Sequence, residues 1–256
     1  MIRRRLELSI VWVLLISASF LAHAGSPIMA AASSLRTLWP ELVQQYTQDT
    51  GEPAPKVSFA SSGLLSTQII NGAPFELFLS ADQASIDRLP ARARSAPSVV
   101  FAYGDLHIVV PQNSAFAAEL TLDSIAPALS APDSRFRLAI PNPVHAPYGL
   151  AARQALTNAG LWPLSDGQLL VAENAAQSLQ FVRSGAVEAA FVPKSLLIAH
   201  GDNVISQEID PATYAPVQHT MVILPGASES AKAFRSWLLD EDAQRILQQS
   251  GLQTPQ

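Results

Sequence analysis

Along this chain, short apolar runs with the two-residue period of strands alternate with longer stretches in which apolar residues recur every three or four positions. The runs Pro27–Ala31, Lys56–Ala60, Leu77–Ser80, Leu106–Val110, Arg137–Ile140, Leu169–Val171, Ala189–Val192 and Thr220–Leu224 predict strands. The stretches Leu35–Thr50, Gly63–Asn71, Ala84–Leu89, Tyr148–Asn158, Ala175–Ser184 and Ser228–Gln249 predict helices. Strands separated by helical segments predict an α/β fold with mainly parallel sheets, because a parallel neighbour needs a crossover of that length. Most of the 19 prolines fall at element boundaries, as turn chemistry requires. Pro40 is the exception. It sits inside the apolar pattern Leu35, Leu38, Trp39, Leu42, Val43, where proline removes a backbone hydrogen bond. Two readings are open there: an irregular first turn, or a regular helix that begins near Trp39.

Four loop-to-helix junctions share one grammar, and each follows a predicted strand. Ser33-Ser34 precedes Leu35, and Ser61-Ser62-Gly63 precedes Leu64, in a helix closed by Gly72. Ala146-Pro147-Tyr148-Gly149 opens a helix that stops at Gly160. Glu173-Asn174-Ala175 opens one that stops at Gly185, with Asn174 placed as its cap. Simple capping accounts for any one junction alone. As a set, their small residues let backbone N–H groups approach a ligand, and in open α/β sheets ligands bind beyond the carboxyl ends of strands. One serine suffices to cap the helix after Phe59-Ala60, so the surplus hydroxyl there is a donor for an anion held at the helix N-terminus.

The N-terminus has a separate character. Arg3, Arg4 and Arg5 precede an apolar run from Leu8 to Leu21 and the A-x-A pattern Ala22-His23-Ala24. This predicts a secretory signal peptide over residues 1–24, cleaved after Ala24; the run is short for a membrane span, which needs about 20 apolar residues. Removing 24 of 256 residues leaves 232, enough for one large domain or two lobes. The segment carries three of the 16 basic and one of the 21 acidic residues, so the remainder has 13 against 20, a formal net charge of −7. An acidic exported chain is a poor partner for nucleic acid or an anionic membrane. There is no cysteine, which excludes a disulfide framework, a thiolate metal site and a cysteine nucleophile.

The junction residues also carry a resemblance. Ala30-Ala31-Ala32-Ser33-Ser34-Leu35, Phe59-Ala60-Ser61-Ser62-Gly63, Gly72-Ala73-Pro74-Phe75-Glu76-Leu77-Phe78-Leu79-Ser80-Ala81-Asp82, Pro143-Val144-His145-Ala146-Pro147-Tyr148-Gly149 and Ala172-Glu173-Asn174-Ala175 follow in order. With the tail positions Ala233, Phe234, Trp237, Leu238, Ala243, Ile246, Leu247, Ser250 and Gly251, the chain resembles the periplasmic molybdate-binding proteins of molybdate ABC transporters. The resemblance implies a two-lobed periplasmic binding protein of type II. Each lobe would be a mixed, mostly parallel sheet flanked by helices, with the ligand in the cleft between them. Residues 25–103 and 221–256 would form one lobe and 104–220 the other. Carried over, Ser34 and Ser62 would donate hydroxyl and backbone N–H bonds, with Ser33 beside them. Tyr148 and Ala175 would donate mainly backbone N–H groups from the opposite lobe. Where some relatives place a ligand-binding tyrosine after the strand matching Ala189–Val192, this chain has Pro193, which lacks both hydroxyl and N–H. The implied partner is a membrane permease, the implied state a periplasmic monomer, and no cofactor is implied.

This donor set suits the implied ligand. Molybdate is a tetrahedral dianion whose oxygens only accept hydrogen bonds, and helix N-termini offer unpaired donors and about half a positive charge each. None of the carried-over ligand positions, Ser33, Ser34, Ser62, Tyr148 and Ala175, is a carboxylate, which protonated phosphate would need as acceptor. Tungstate is expected to bind as molybdate does. Sulfate, also an unprotonated dianion, is the alternative within the binding class. His145 lies close to the proposed anion, and a structural hydrogen bond is its favoured role; His107, His200 and His219 look scattered. Asp82 and Glu173 are expected as solvated or capping groups at the cleft rim. No His-E-x-x-His, paired His or Asp-rich loop indicates a cation site, so molybdenum would enter only as the oxyanion. A hydrolase finds no support in a G-x-S-x-G elbow or a P-loop. A sensory module without ligand would show no anion-dependent stabilisation.

Overall fold

A computed structural model describes residues 26–131, 134–198 and 203–255. The expected signal peptide and His200 lie outside the described residues. The strands are β1 (Ile28–Ala32), β2 (Lys56–Ala60), β3 (Leu77–Ser80), β4 (Val99–Gly104), β5 (Leu106–Pro111), β6 (Leu138–Pro141), β7 (Leu169–Ala172), β8 (Ala189–Pro193), β9 (Val204–Glu208), β10 (Val217–Ile223) and β11 (Leu252–Gln253). The helices are α1 (Trp39–Thr50), α2 (Ser62–Ile70), α3 (Gln83–Asp87), α4 (Leu122–Ser130), α5 (Pro147–Asn158), α6 (Ala175–Arg183), α7 (Glu229–Trp237) and α8 (Glu241–Gln249).

Two sheets result, in the orders β11-β4-β10-β3-β1-β2 and β7-β6-β8-β5-β9. The chain passes from the first to the second across Asp105 and returns between Glu208 and Val217. The expected boundary at 220/221 therefore falls inside β10. Alternation along each strand feeds two cores per sheet. In the first sheet, Met29, Ala31, Leu77 and Leu79 pack under α1, α7 and α8, while Ala30 and Phe78 pack under α2 and α3. In the second, Leu138 and Ile140 meet α4 and α5, and Ala139 meets α6. Tyr46 of α1 is fully buried and sits edge-on to Phe234 and Trp237, with ring centroids 5.0 and 5.3 Å away. Burial of each such ring contributes about 1.5–3 kcal/mol.

The sheets are mixed rather than mainly parallel. Among the described residues, β1–β2, β1–β3, β6–β7 and β6–β8 are parallel, and the other five pairings are antiparallel. Every antiparallel pairing involves β4, β5 or β10, the strands at the two passages, where no helical crossover turns the chain round. Strands β4, β9 and β11 escape the periodicity: β4 runs into β5 with only Asp105 between, β9 is a short half-polar edge strand, and β11 has two residues. Helix α4 escapes it because Pro127 interrupts its pattern; a capping box of Thr121 and Ser124 starts it.

Both readings of Pro40 meet. A 3-10 turn at Ser33–Leu35 comes first, α1 then begins at Trp39, and Pro40 sits in its first turn, where a missing N–H costs nothing. The expected single helix 228–249 divides into α7 and α8 around Leu238–Asp240.

Candidate functional site

Strands β1 and β2 are a parallel pair in the first sheet, and β6 and β7 a parallel pair in the second. Their carboxyl ends lead into the four junctions. Ser33 and Ser34 open the 3-10 turn after β1, Ser62 opens α2 after β2, Tyr148 stands in the first turn of α5, and Ala175 opens α6 after β7. All five residues line one small cavity, together with Ala32, Ser61, Ala81, Ala146 and Pro147. Ser34, Ser62, Tyr148 and Ala175 are buried, at 1, 0, 2 and 3% exposure. No lining residue is charged at neutral pH.

The donors are arranged differently from the expectation of one capping serine with others to spare. Ser61 occupies the N-cap of α2, yet its hydroxyl caps nothing. It instead shares a 2.8 Å hydrogen bond with Nδ1 of His145. The Ser62 hydroxyl accepts the Ala81 N–H at 2.9 Å, which leaves its proton free to donate into the cavity. Among the described residues the buried Ser34 hydroxyl has no hydrogen-bond partner. The helical starts at Ser33 and Pro147 also lack a side-chain cap. Only Asn174 caps as expected, accepting from Gln177 N at the third position of α6, beyond Ala175. Helix starts leave first-turn N–H groups short of acceptors; here those of Gly63, Gly149 and Gln177 are taken up by the His145 carbonyl, the Ala146 carbonyl and the Asn174 side chain. The cavity thus gathers hydroxyl and N–H donors with positive helix ends and no negative charge, a cage for a small unprotonated anion.

The Tyr148 phenol is engaged elsewhere. It reaches back to share a 3.1 Å hydrogen bond with Nε2 of His219 on β10. A Cβ at Gly104 would lie 1.8 Å from the phenol oxygen, so the absence of a side chain there makes room for the ring. Burial raises the Tyr148 phenol well above its ordinary pKa and lowers His219 to about 3, so both are uncharged at neutral pH. His145 also lies below the ordinary histidine range: burial lowers it, the Glu173 carboxylate opposes this, and Arg88 adds to it.

The rim residues take the roles expected of them. Asp82 caps α3 by accepting from Ser85 N at 3.0 Å, and Glu173 is exposed. Pro193 closes β8 and is buried, but it does not line the cavity. Two residues later Ser195 does what no sequence pattern announced: its hydroxyl donates to the Ser34 carbonyl at 2.8 Å. His219, read as scattered, had one signal available, a lone ring nitrogen pair inside the apolar run Val217–Ile223. Among the described residues, no group of three or more His, Cys, Asp or Glu side chains is placed to hold a metal ion.

Residues 28–253 match the family described as bacterial extracellular solute-binding protein. The chain belongs to that family. Among its relatives, the molybdate-binding protein ModA of Rhodobacter capsulatus is 28% identical over 235 residues, covering 91% of this chain and 90% of that one. ModA of Escherichia coli (strain K12) is 27% identical over 238 residues, 92% of each chain. Among solved structures, the Azotobacter vinelandii periplasmic molybdate-binding protein superposes with a TM-score of 0.78 at 27% identity, covering 90% of this chain and all of that one. The family is one of solute-binding proteins, and the cavity lies at the carboxyl ends of β1, β2, β6 and β7, the place where open α/β sheets take ligands.

Proposed function

We propose that this protein captures molybdate, and with it tungstate, in the periplasm and delivers it to an ABC permease. The observation that carries the reading is the uncharged cavity in which an orphaned Ser34 hydroxyl, a Ser62 hydroxyl with its proton to spare and four helical starts converge. An unprotonated tetrahedral dianion satisfies all of these donors at once. Phosphate near neutral pH carries a proton and finds no carboxylate acceptor among the lining residues. The three proteins named above are each called molybdate-binding, which supports the same ligand. Export rests on the signal peptide expected at residues 1–24; among the described residues no helix is long and apolar enough to cross a membrane.

In this reading Ser34, Ser62 and Ser33 hold the anion from one lobe and Tyr148 and Ala175 from the other. The lobes close on it as the bound state is favoured. Sulfate is the competing ligand, because it asks for the same donors and differs in size. Calorimetric titration of the purified protein with molybdate, tungstate, sulfate and phosphate tests the reading. Tight binding of the first two, with sulfate and phosphate far weaker, is the expected result. Equal binding of sulfate, or no oxyanion binding at all, refutes it.

A further inference from the structure

Two sets of hydrogen bonds flank the cavity, and each joins the first sheet's loops to the second's. On one flank the Gly63 N–H donates to the His145 carbonyl at 2.9 Å, and the Ser61 hydroxyl meets His145 Nδ1 at 2.8 Å. On the other flank the Ser195 hydroxyl donates to the Ser34 carbonyl at 2.8 Å, and the Thr37 hydroxyl donates to the Ser195 carbonyl at 2.7 Å. Neither His145 nor Ser195 lines the cavity. Each nevertheless grips a residue at or beside a cavity serine: Ser61 and Gly63 bracket Ser62, and Ser34 is itself held through its carbonyl.

We infer that His145 and Ser195 are positioning residues, a pair of clasps that hold the two lobes shut over the bound anion without touching it. The inference rests on the oxyanion reading for its ligand and on the interlobe bonds for its mechanism. Parting the two sets of loops breaks these bonds. In the parted state the freed groups are rewetted, so the bonds contribute to closure and little to the fold of either lobe. A group that stabilises only the closed state raises the fraction able to retain ligand, and apparent affinity scales with that fraction. Close approach is built in: a Cβ at Gly63 would stand 2.7 Å from the His145 Cβ, so glycine is what lets the first clasp form.

The experiment uses the absence of cysteine. Cysteines introduced at the exposed Gln68 on α2 and Gln180 on α6 carry spin labels that report the interlobe distance with and without molybdate. Into this background go Thr37→Val, Ser195→Ala, His145→Ala and the Ser195→Ala/His145→Ala pair, with Thr37→Ser as the variant that keeps its hydroxyl. Each loss is expected to raise the molybdate Kd roughly two- to tenfold, with faster dissociation and a larger open population. The pair is expected to show the product of the two losses, Thr37→Ser wild-type behaviour, and the ligand-free thermal midpoint no change. Unaltered distances, or affinity that falls only in step with the ligand-free midpoint, overturns the clasps. A protein that closes without responding to any oxyanion, while the variants open it, removes the ligand reading and leaves the clasps standing.

Discussion

Replacing Ser62 with alanine separates what the residue does for the anion from what it does for the fold. Its hydroxyl accepts from the Ala81 N–H at 2.9 Å and is fully buried. Deleting it leaves that N–H without an acceptor in the free and the bound protein alike, which costs about 1–3 kcal/mol of stability. For a chain of this size that lowers the thermal midpoint by about 2–4 °C per kcal/mol. This loss cancels in the binding equilibrium. What remains there is the O–H bond to the dianion, a charge-assisted bond of about 1.5–3 kcal/mol, hence a rise in Kd of roughly 10- to 150-fold. Titration calorimetry with molybdate reads the second quantity, and scanning calorimetry of the ligand-free protein reads the first. An unchanged Kd removes Ser62 from the site. A weakened Kd with an unchanged ligand-free midpoint refutes the structural half, namely that the Ala81 N–H depends on this oxygen.

Other consequences follow from single contacts. Gly63→Ala places a Cβ 2.7 Å from His145 Cβ and 2.9 Å from its carbonyl oxygen, so closure is blocked and molybdate Kd rises at least about tenfold, while the ligand-free midpoint, set by each lobe's own core, barely moves. His219 makes stability pH-dependent. Its folded pKa of about 3 lies below the ordinary 6.5, so the fold favours the neutral ring. That contribution is complete above pH 6.5 and is lost as pH falls toward 3, reaching a loss of about 2 kcal/mol by pH 5. Denaturant unfolding of His219→Gln across pH 7 to 5 is expected to be flatter than wild type by that amount, and parallel profiles would show that the buried ring is not the titrating group.

Much of the site was written locally. The strand-to-helix junctions at Ser33-Ser34, Ser61-Ser62, Pro147-Tyr148 and Asn174-Ala175 are set within a few residues by where an apolar run stops and a helical period starts, and each contributes at least one residue to the cavity lining. The closing glycines 72, 160 and 185 sit at φ of 87, 72 and 71°, as helix C-termini require. The roles of the individual serines were not local. One serine of the pair Ser61-Ser62 reads as a cap and the other as surplus; instead Ser61 partners His145, 84 residues away, and Ser62 carries the Ala81 N–H.

By itself, then, the sequence determined the alternation of elements, the four donor-bearing turns and the absence of a charge at their cavity-lining positions, because these depend on short-range period and residue chemistry. Only the tertiary structure decided the mixed order of the sheets, the lodging of the Tyr148 phenol between Gly104 and His219, and the pairing of Ser195 with Ser34 across 161 residues. Such contacts leave no periodic trace. They come into being when the chain's two passages between sheets bring the strand ends face to face, and that geometry belongs to the whole fold rather than to any segment of it.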